Sequence, residues 1–388
     1  MSEYQVTWRG IFHDRGGYAR AARGYVLALD RLGVDVRIEP VSFGTPAAVL
    51  PPAQSSRLGE LAAKPRAEHG RRVLVIHLQP GTFDPRSERG RFDCVVGCMA
   101  WETTRLPAVW PLIADLYDAL IGFSRQSLQA FADSGITVPL FCVPHGVDTD
   151  AFTADGPRAV IPQFNDQFKF VSVFRWDHRK APEVLLRAFW EEFSAQDGVA
   201  LVLKTDPGEP CGLSDRLALR DHIAELRRAF GFDASRAPVL VNVDTVPDAQ
   251  LAQLYRSADV FVLPTRGEAA GLPFLEAMSC GLPVIATGWG GQTDFLNDRN
   301  SWLIDYALEP TTSRRGSAIA PFFNTLFTSD MNWAEPNGEH LRKLLRQACG
   351  HRAEVKQRGR QALDDARAMT WTSCAERLSS VLRGLAAG

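Results

Sequence analysis

The sequence lacks any run of about 18 apolar residues, so no stretch of it reads as a transmembrane helix. It also lacks an excess of either charge. The 43 basic residues stand against 45 acidic ones, and a net charge of −2 gives no reason to expect nucleic-acid binding. No internal repeat or low-complexity segment is evident. Cysteine is sparse, scattered and odd in number at 7. Only Cys94 and Cys98 lie close together, without a matching His or Cys pair, so no zinc site is expected. Buried free thiols in a reducing compartment are the expectation instead. The opening Met1–Arg9 has no apolar signal-peptide core, which leads to the expectation of a cytoplasmic enzyme.

What is present is ordinary globular material: 388 residues, 45% hydrophobic and 23% charged, enough for two or three domains. Short β-branched, apolar runs alternate with helical patterns. Strands are expected at 5–12, 34–38, 72–78, 94–99, 119–123 and 140–143, with a helix over 19–32 carrying Ala22, Val26, Leu29 and Leu32 at helical spacing. Residues 150–166 break the rhythm with Gly156-Pro157 and Pro162 and read as a linker. A second series begins at Phe168–Phe174, with a helix over 181–193 and strands at 200–204 and 239–243. Repeated strand–helix units imply an α/β fold with parallel, doubly wound sheets. The expected domains are 1–157 and 158–370. The amphipathic tail 371–388 carries Cys374, Leu378, Val381 and Leu382 on one stripe. The polar stretch Thr311–Gly316 reads as a solvated loop.

The densest signal is Glu268-Ala-Ala-Gly-Leu-Pro-Phe-Leu-Glu276. A buried strand over 258–264 precedes it, Pro273 suits a first helical turn, and Gly281 stops the helix. Glu268 is therefore expected on the loop at the strand's C-terminal end, with Glu276 in the helix's first turn. Open α/β sheets bind ligands there, and a helix start offers N–H groups to phosphate. A carboxylate in that place suits sugar or ribose hydroxyls.

The pattern Glu-x-x-Gly-Leu-Pro-x-x-Glu-Ala-Met resembles the retaining GT-B glycosyltransferases of family 4, whose signature is Glu-x7-Glu. Ala269-Ala270 depart from the family's usual Gly-Phe. The resemblance implies two Rossmann-like parallel-sheet domains facing each other across a cleft, with the tail helix packing back on the first. It implies a nucleotide-sugar donor, UDP-linked, on the second domain and a small-molecule or glycan acceptor on the first. It also implies no cofactor and no metal.

Phe174-Arg-Trp-Asp-His-Arg-Lys-Ala181 is similar to the family's Gly-Arg-x4-Lys-Gly, without its glycines. Arg175 and Lys180 would stabilise the charge that develops on a departing diphosphate. His178 and Arg179 between them read as surface residues. Glu268 completes the catalytic set. Gly16, Gly17, Gly271, Leu272, Pro273 and Glu276 would contact the donor, the glycine pair by letting backbone approach the diphosphate. Gly288-Trp-Gly-Gly291 with Asp294 reads either as a direct contact or as a structural loop. Where many relatives place a His beside an acid, this chain has Trp101 and Glu102, read either as an exposed ring suited to stacking on a sugar or as a core Trp. Pro144-His-Gly-Val-Asp148 is similar to the family's Pro-Asn-Gly-Val-Asp, with His145 shaping a turn. Asp14, Trp101, Glu102 and His145 are the acceptor or sugar candidates. More loosely, the chain resembles aminoglycoside-antibiotic glycosyltransferases, which implies an aminoglycoside pseudodisaccharide as acceptor. A cell-envelope or exopolysaccharide transferase and a GT-B sugar-nucleotide epimerase are the alternatives.

Overall fold

A computed structural model of the chain describes residues 4–44, 47–208, 212–312 and 326–387. The chain divides into two compact units, one of Met1–Gly146 with Met369–Gly388 and one of Val147–Ala368. Residues 150–166, expected to be linker, belong to the second unit, which begins at Val147. Arg256 donates to the carbonyls of Thr153 and Pro157, and Ser279 Oγ donates to the carbonyl of Phe152.

The first unit runs β1 (Tyr4–Gly10), α1 (Gly17–Arg31), β2 (Val36–Pro40), α2 (Pro52–Ala63), β3 (Arg71–His77), β4 (Cys94–Cys98), α3 (Trp110–Ala114), β5 (Ala119–Gly122), α4 (Arg125–Asp133) and β6 (Leu140–Cys142). Its strands form one parallel sheet in the order β2-β1-β3-β4-β5-β6. The central strands are buried on both faces, which is why they read as continuous apolar runs rather than alternating ones.

The second unit runs β7 (Phe168–Arg175), α5 (Pro182–Glu192), β8 (Val199–Asp206), α6 (Leu213–Ala229), β9 (Val239–Asn242), α7 (Asp248–Arg256), β10 (Val260–Leu263), α8 (Leu272–Ser279), β11 (Val284–Thr287) and β12 (Ser301–Ile304). A hairpin of β13 (Tyr306–Pro310) and β14 (Asn332–Pro336) and the helices α9 (Gly338–Gly350) and α10 (Arg352–Arg367) follow. The main sheet is parallel in the order β12-β11-β10-β7-β8-β9. Of the expected loop Thr311–Gly316, residues 313–316 lie outside the described residues.

The last helix, α11 (Trp371–Ala387), belongs to the first unit and packs on α1. Gly24 makes that packing possible, since a Cβ there would sit 2.3 Å from the Trp371 indole. Among the described residues no helix is long and apolar enough to cross a membrane. Among the described residues four cysteines are buried as expected, but Cys142 is exposed and Cys349 half-buried; Cys211 lies outside the described residues. Cys142 is the last residue of the edge strand β6, which no further strand covers.

Candidate active site

In the second sheet the strand order reverses between β7 and β10. At such a reversal the connections diverge and leave a crevice at the strands' C-terminal ends, where open α/β sheets hold ligands. Two turns meet there: Asp177–Ala181 after β7, and Thr265–Glu268 after β10. They are stapled together. The Arg266 N–H donates to the Arg179 carbonyl at 2.7 Å, and Thr265 Oγ1 reaches the same oxygen at 3.1 Å. In return, the Arg179 guanidinium donates to the Gly267 carbonyl at 2.5 Å.

This stapling brings Lys180 and Glu268 together. The Lys180 ammonium donates directly to Glu268 Oε1, and Arg179 lies 3.7 Å from Glu268 Oε2. Burial pushes the Lys180 amine below its ordinary pKa; the Arg179 charge acts in the same direction and Glu268 opposes both. Arg175 does not join them. It closes β7 with a side chain 44% exposed, 3.9 Å from Asp177. The two cations expected to act together thus have different immediate partners.

Two expectations in this segment are corrected. His178 and Arg179 are not surface residues: His178 is buried 5.4 Å from the Trp333 ring, and the Arg179 side chain is only 15% exposed. The tight turn between β7 and α5 folds them inward. Glu276 lies in the second turn of α8 rather than the first, because Gly271 is the N-cap and Leu272 and Pro273 open the helix. Its carboxylate is buried and accepts a hydrogen bond from Tyr255 Oη at 3.1 Å.

The Gly288–Gly291 loop acts on Glu268 as a support. The Gly291 N–H donates to the Glu268 carbonyl at 2.7 Å. A Cβ on Gly291 would come within 2.1 Å of the Ala269 carbonyl oxygen, so only glycine allows the approach. Asp294 ends the short 3-10 turn that follows.

The first sheet reverses between β1 and β3. There Asp14 Oδ1 accepts the Gly16 N–H at 2.8 Å, Gly16 is the N-cap of α1, and Gly17 is its first residue. The expected loop 14–18 is therefore shorter than its sequence suggests. At the end of β3, His77 is buried among Trp8, Tyr18 and Phe123 with centroids at 5.5, 5.0 and 5.4 Å. Neither of its ring nitrogens has a hydrogen-bond partner among the described residues. His145 sits 4.1 Å from Phe123 and 5.7 Å from Trp371, with Nδ1 3.4 Å from Tyr25 Oη. Burial pushes both imidazoles down to about 3, so both are neutral at pH 7. His145 is a core residue of the first unit.

Trp101 also departs from expectation. It is 2% exposed, packs on Trp110 at 4.7 Å, and its Nε1–H points to Thr103 Oγ1 at 2.8 Å and the Arg105 carbonyl at 2.6 Å. An indole so enclosed cannot stack on a sugar. Glu102 beside it is half-buried. Asp148-Thr149-Asp150 has the Asp-x-Asp form of a metal motif, yet Asp148 Oδ1 accepts the N–H groups of Asp150 and Ala151, each at 3.1 Å. It caps a turn.

Residues 166–311, the part of the chain that carries these two turns, match the family described as glycosyl transferases group 1. Over its whole length the chain is similar to sucrose-phosphate synthase from Thermosynechococcus elongatus, with a TM-score of 0.67, 16% identity and 99% of each chain covered. It is also similar to Anabaena HepE in complex with UDP and glucose, with a TM-score of 0.62, 12% identity and coverage of 98% of this chain and 99% of that one. The fold is GT-B. In sequence the chain is 32% identical over 192 residues to a D-inositol 3-phosphate glycosyltransferase of Corynebacterium jeikeium, covering 46% of this chain and 43% of that protein. The chain spans less than half the length of the first such relatives it matches. Within this GT-B chain, the family match falls in the unit that holds the charged crevice.

Arg266 and Tyr255 carry no signal in the sequence pattern, and Arg179 reads there as a surface residue. Tyr255 follows Leu251 and Ala252 on the apolar stripe of α7 and reads as plain core. Arg266 is separated from the Glu-x7-Glu motif by Gly267 alone, but nothing in a strand–loop pattern announces a buried guanidinium.

Proposed function

We propose that the chain is a retaining glycosyltransferase that moves a hexosyl or aminohexosyl group from a UDP-sugar to a hydroxyl of a cyclitol-bearing acceptor, an aminoglycoside pseudodisaccharide being the acceptor of first choice. The observation that carries the reading is the Lys180–Glu268 pair at the strand reversal, within the segment matched by group 1 glycosyl transferases. UDP is supported by the HepE neighbour, whose complex holds UDP and glucose. A cyclitol acceptor is supported by relatives named for D-inositol 3-phosphate, since an aminoglycoside pseudodisaccharide also presents a hydroxylated carbocycle.

Breaking the sugar–phosphate bond places negative charge on the departing diphosphate. In this reading Arg175 and Lys180 meet that charge from fixed positions without a metal ion, each such contact contributing about 100- to 1000-fold in rate. Glu268, oriented by Lys180, Arg179 and the Gly291 N–H, holds the sugar hydroxyls, and Glu276 holds the ribose. The departing phosphate oxygen takes the proton of the acceptor hydroxyl as the new glycosidic bond forms on the same face, which retains the configuration. Asp14 and Glu102 supply carboxylates for an amine-bearing acceptor.

The test is a panel of UDP-sugars against inositol phosphates and aminoglycoside fragments, read by mass spectrometry and by nucleotide release. UDP release that requires a cyclitol acceptor is the expected result. Sugar isomerisation without an acceptor would replace the transferase reading by an epimerase. Transfer to polysaccharide or lipid-linked acceptors alone would overturn the acceptor assignment.

A further inference from the structure

Arg266 is a fully buried guanidinium, 0% exposed, separated by Gly267 from the start of the Glu-x7-Glu segment. Nε donates to Glu335 Oε2 at 2.6 Å, and one terminal nitrogen reaches Glu335 Oε1 at 3.2 Å while also donating to Glu183. The other terminal nitrogen donates to the His178 carbonyl and lies 3.3 Å from His178 Nδ1. Its backbone is held as well, the N–H by the Arg179 carbonyl and the carbonyl by the Ala334 N–H at 2.9 Å. One residue therefore joins β14, α5 and the Asp177–Ala181 turn to the loop that bears Glu268.

The turn it grips is strained. Ala181, with φ 49° and ψ 47°, is the one non-glycine at positive φ among the described residues. A residue with a Cβ rarely adopts this left-handed conformation, and Pro182 disfavours the ordinary helical alternative at the position before it. Such strain persists only where the surroundings over-determine it. Lys180 lies directly before the strained residue, so its direction depends on the turn keeping that shape.

We propose that Arg266 is a positioning residue whose buried guanidinium clamps the strained Asp177–Ala181 turn and thereby sets the Lys180 amine against Glu268. Arginine is required because a planar fork serves two carboxylates and a carbonyl at once, which a lysine ammonium cannot reproduce.

Two variants test it: Arg266→Lys, and Glu183→Gln, which removes one partner charge near the surface and spares the core. The first readout is the titration of the Lys180 amine after ¹³C-methylation, its signal assigned by its loss in Lys180→Arg. The second is steady-state turnover. Arg266→Lys is expected to let the turn open to solvent, which removes the burial that most depresses the Lys180 amine and so raises its titration toward the ordinary lysine range, and to lower kcat by about 100-fold with little change in KM. Glu183→Gln is expected to do both to a smaller degree. If either variant folds with a lowered melting temperature but unchanged Lys180 titration and kcat, Arg266 is merely structural and the assignment falls. If Arg266→Lys does not fold, Glu183→Gln decides by the same criteria. Only the turnover arm rests on the transferase reading. A wild type without acceptor-dependent turnover would sink that reading, and the Lys180 titration would still decide the clamp.

Discussion

The two units build the same crevice, at the strand reversal of a six-stranded parallel sheet, and furnish it in opposite ways. In the first, β1 and β3 end among Trp8, Tyr18, His77 and Phe123, with neutral imidazoles at His77 and His145 and the buried Arg23 guanidinium donating to the Phe12 and Asp14 carbonyls. In the second, β7 and β10 end in Lys180, Glu268, Arg179 and the buried Arg266 with its two carboxylate partners. Topology provides a concave place; the side chains at the strand ends decide whether it is suited to anionic chemistry. A desolvated cation fixed in position stabilises developing charge far better than one in water. The aromatic lining of the first crevice instead contributes apolar area, with Asp14 and the buried Arg23 at its edge.

The largest effect expected from this contrast lies in the charged crevice. Lys180→Ala should lower kcat by about 100- to 1000-fold in acceptor-dependent transfer. An unchanged rate would remove Lys180 from the chemistry and erase the functional side of the comparison.

The aromatic crevice should answer to pH instead. His77 and His145 have folded pKa values of about 3, well below the unfolded value near 6.5. The unfolded chain therefore takes up protons first as pH falls. Stability is full above about pH 6.5 and declines through the window down to about 3, by about 1.4 kcal/mol per pH unit for each histidine. Urea unfolding followed from pH 7 to pH 5 should show this slope, and His77→Phe should remove the His77 share of it while His145 keeps its own. A pH-independent midpoint would mean that the imidazoles are not buried neutral.

Glu276→Ala should weaken UDP binding by about 10-fold or more by calorimetry, as the loss of a charged hydrogen-bonding group predicts. Tyr255→Phe should have a smaller effect in the same direction, since it removes only one hydrogen bond to the Glu276 carboxylate. Equal affinity in Glu276→Ala would refute the ribose assignment.

The smallest effect distinguishes core from contact. Trp101→Phe loses the indole N–H and some packing, and should cost about 1–3 kcal/mol of stability while leaving acceptor KM unchanged. A raised KM at unchanged stability would restore Trp101 to the acceptor site.

Much of the fold was legible because buried parallel strands are apolar throughout and their helices carry caps and stripes. Strands β3, β5 and β7 lie within a residue or two of where their apolar runs place them. Glu268 was legible as a strand-end carboxylate because Gly271, Pro273 and Gly281 punctuate its surroundings. His178, Arg179 and Trp101 were misread for a common reason. Local pattern gives the residue type at a loop, but whether the loop folds inward depends on contacts from distant segments such as β14 and α4.

The chain's residues alone therefore established an α/β protein with parallel, doubly wound sheets and a Glu-x7-Glu segment at a strand end, since periodicity and turn chemistry are local properties; the pair of Rossmann-like domains came from the family resemblance. Three-dimensional packing settled the rest. It paired Lys180 with Glu268, buried Arg266 between Glu183 and Glu335, held Ala181 left-handed, and enclosed His145 and Trp101. Each of these depends on desolvation and on partners far away in sequence, and neither is written in any short stretch of residues.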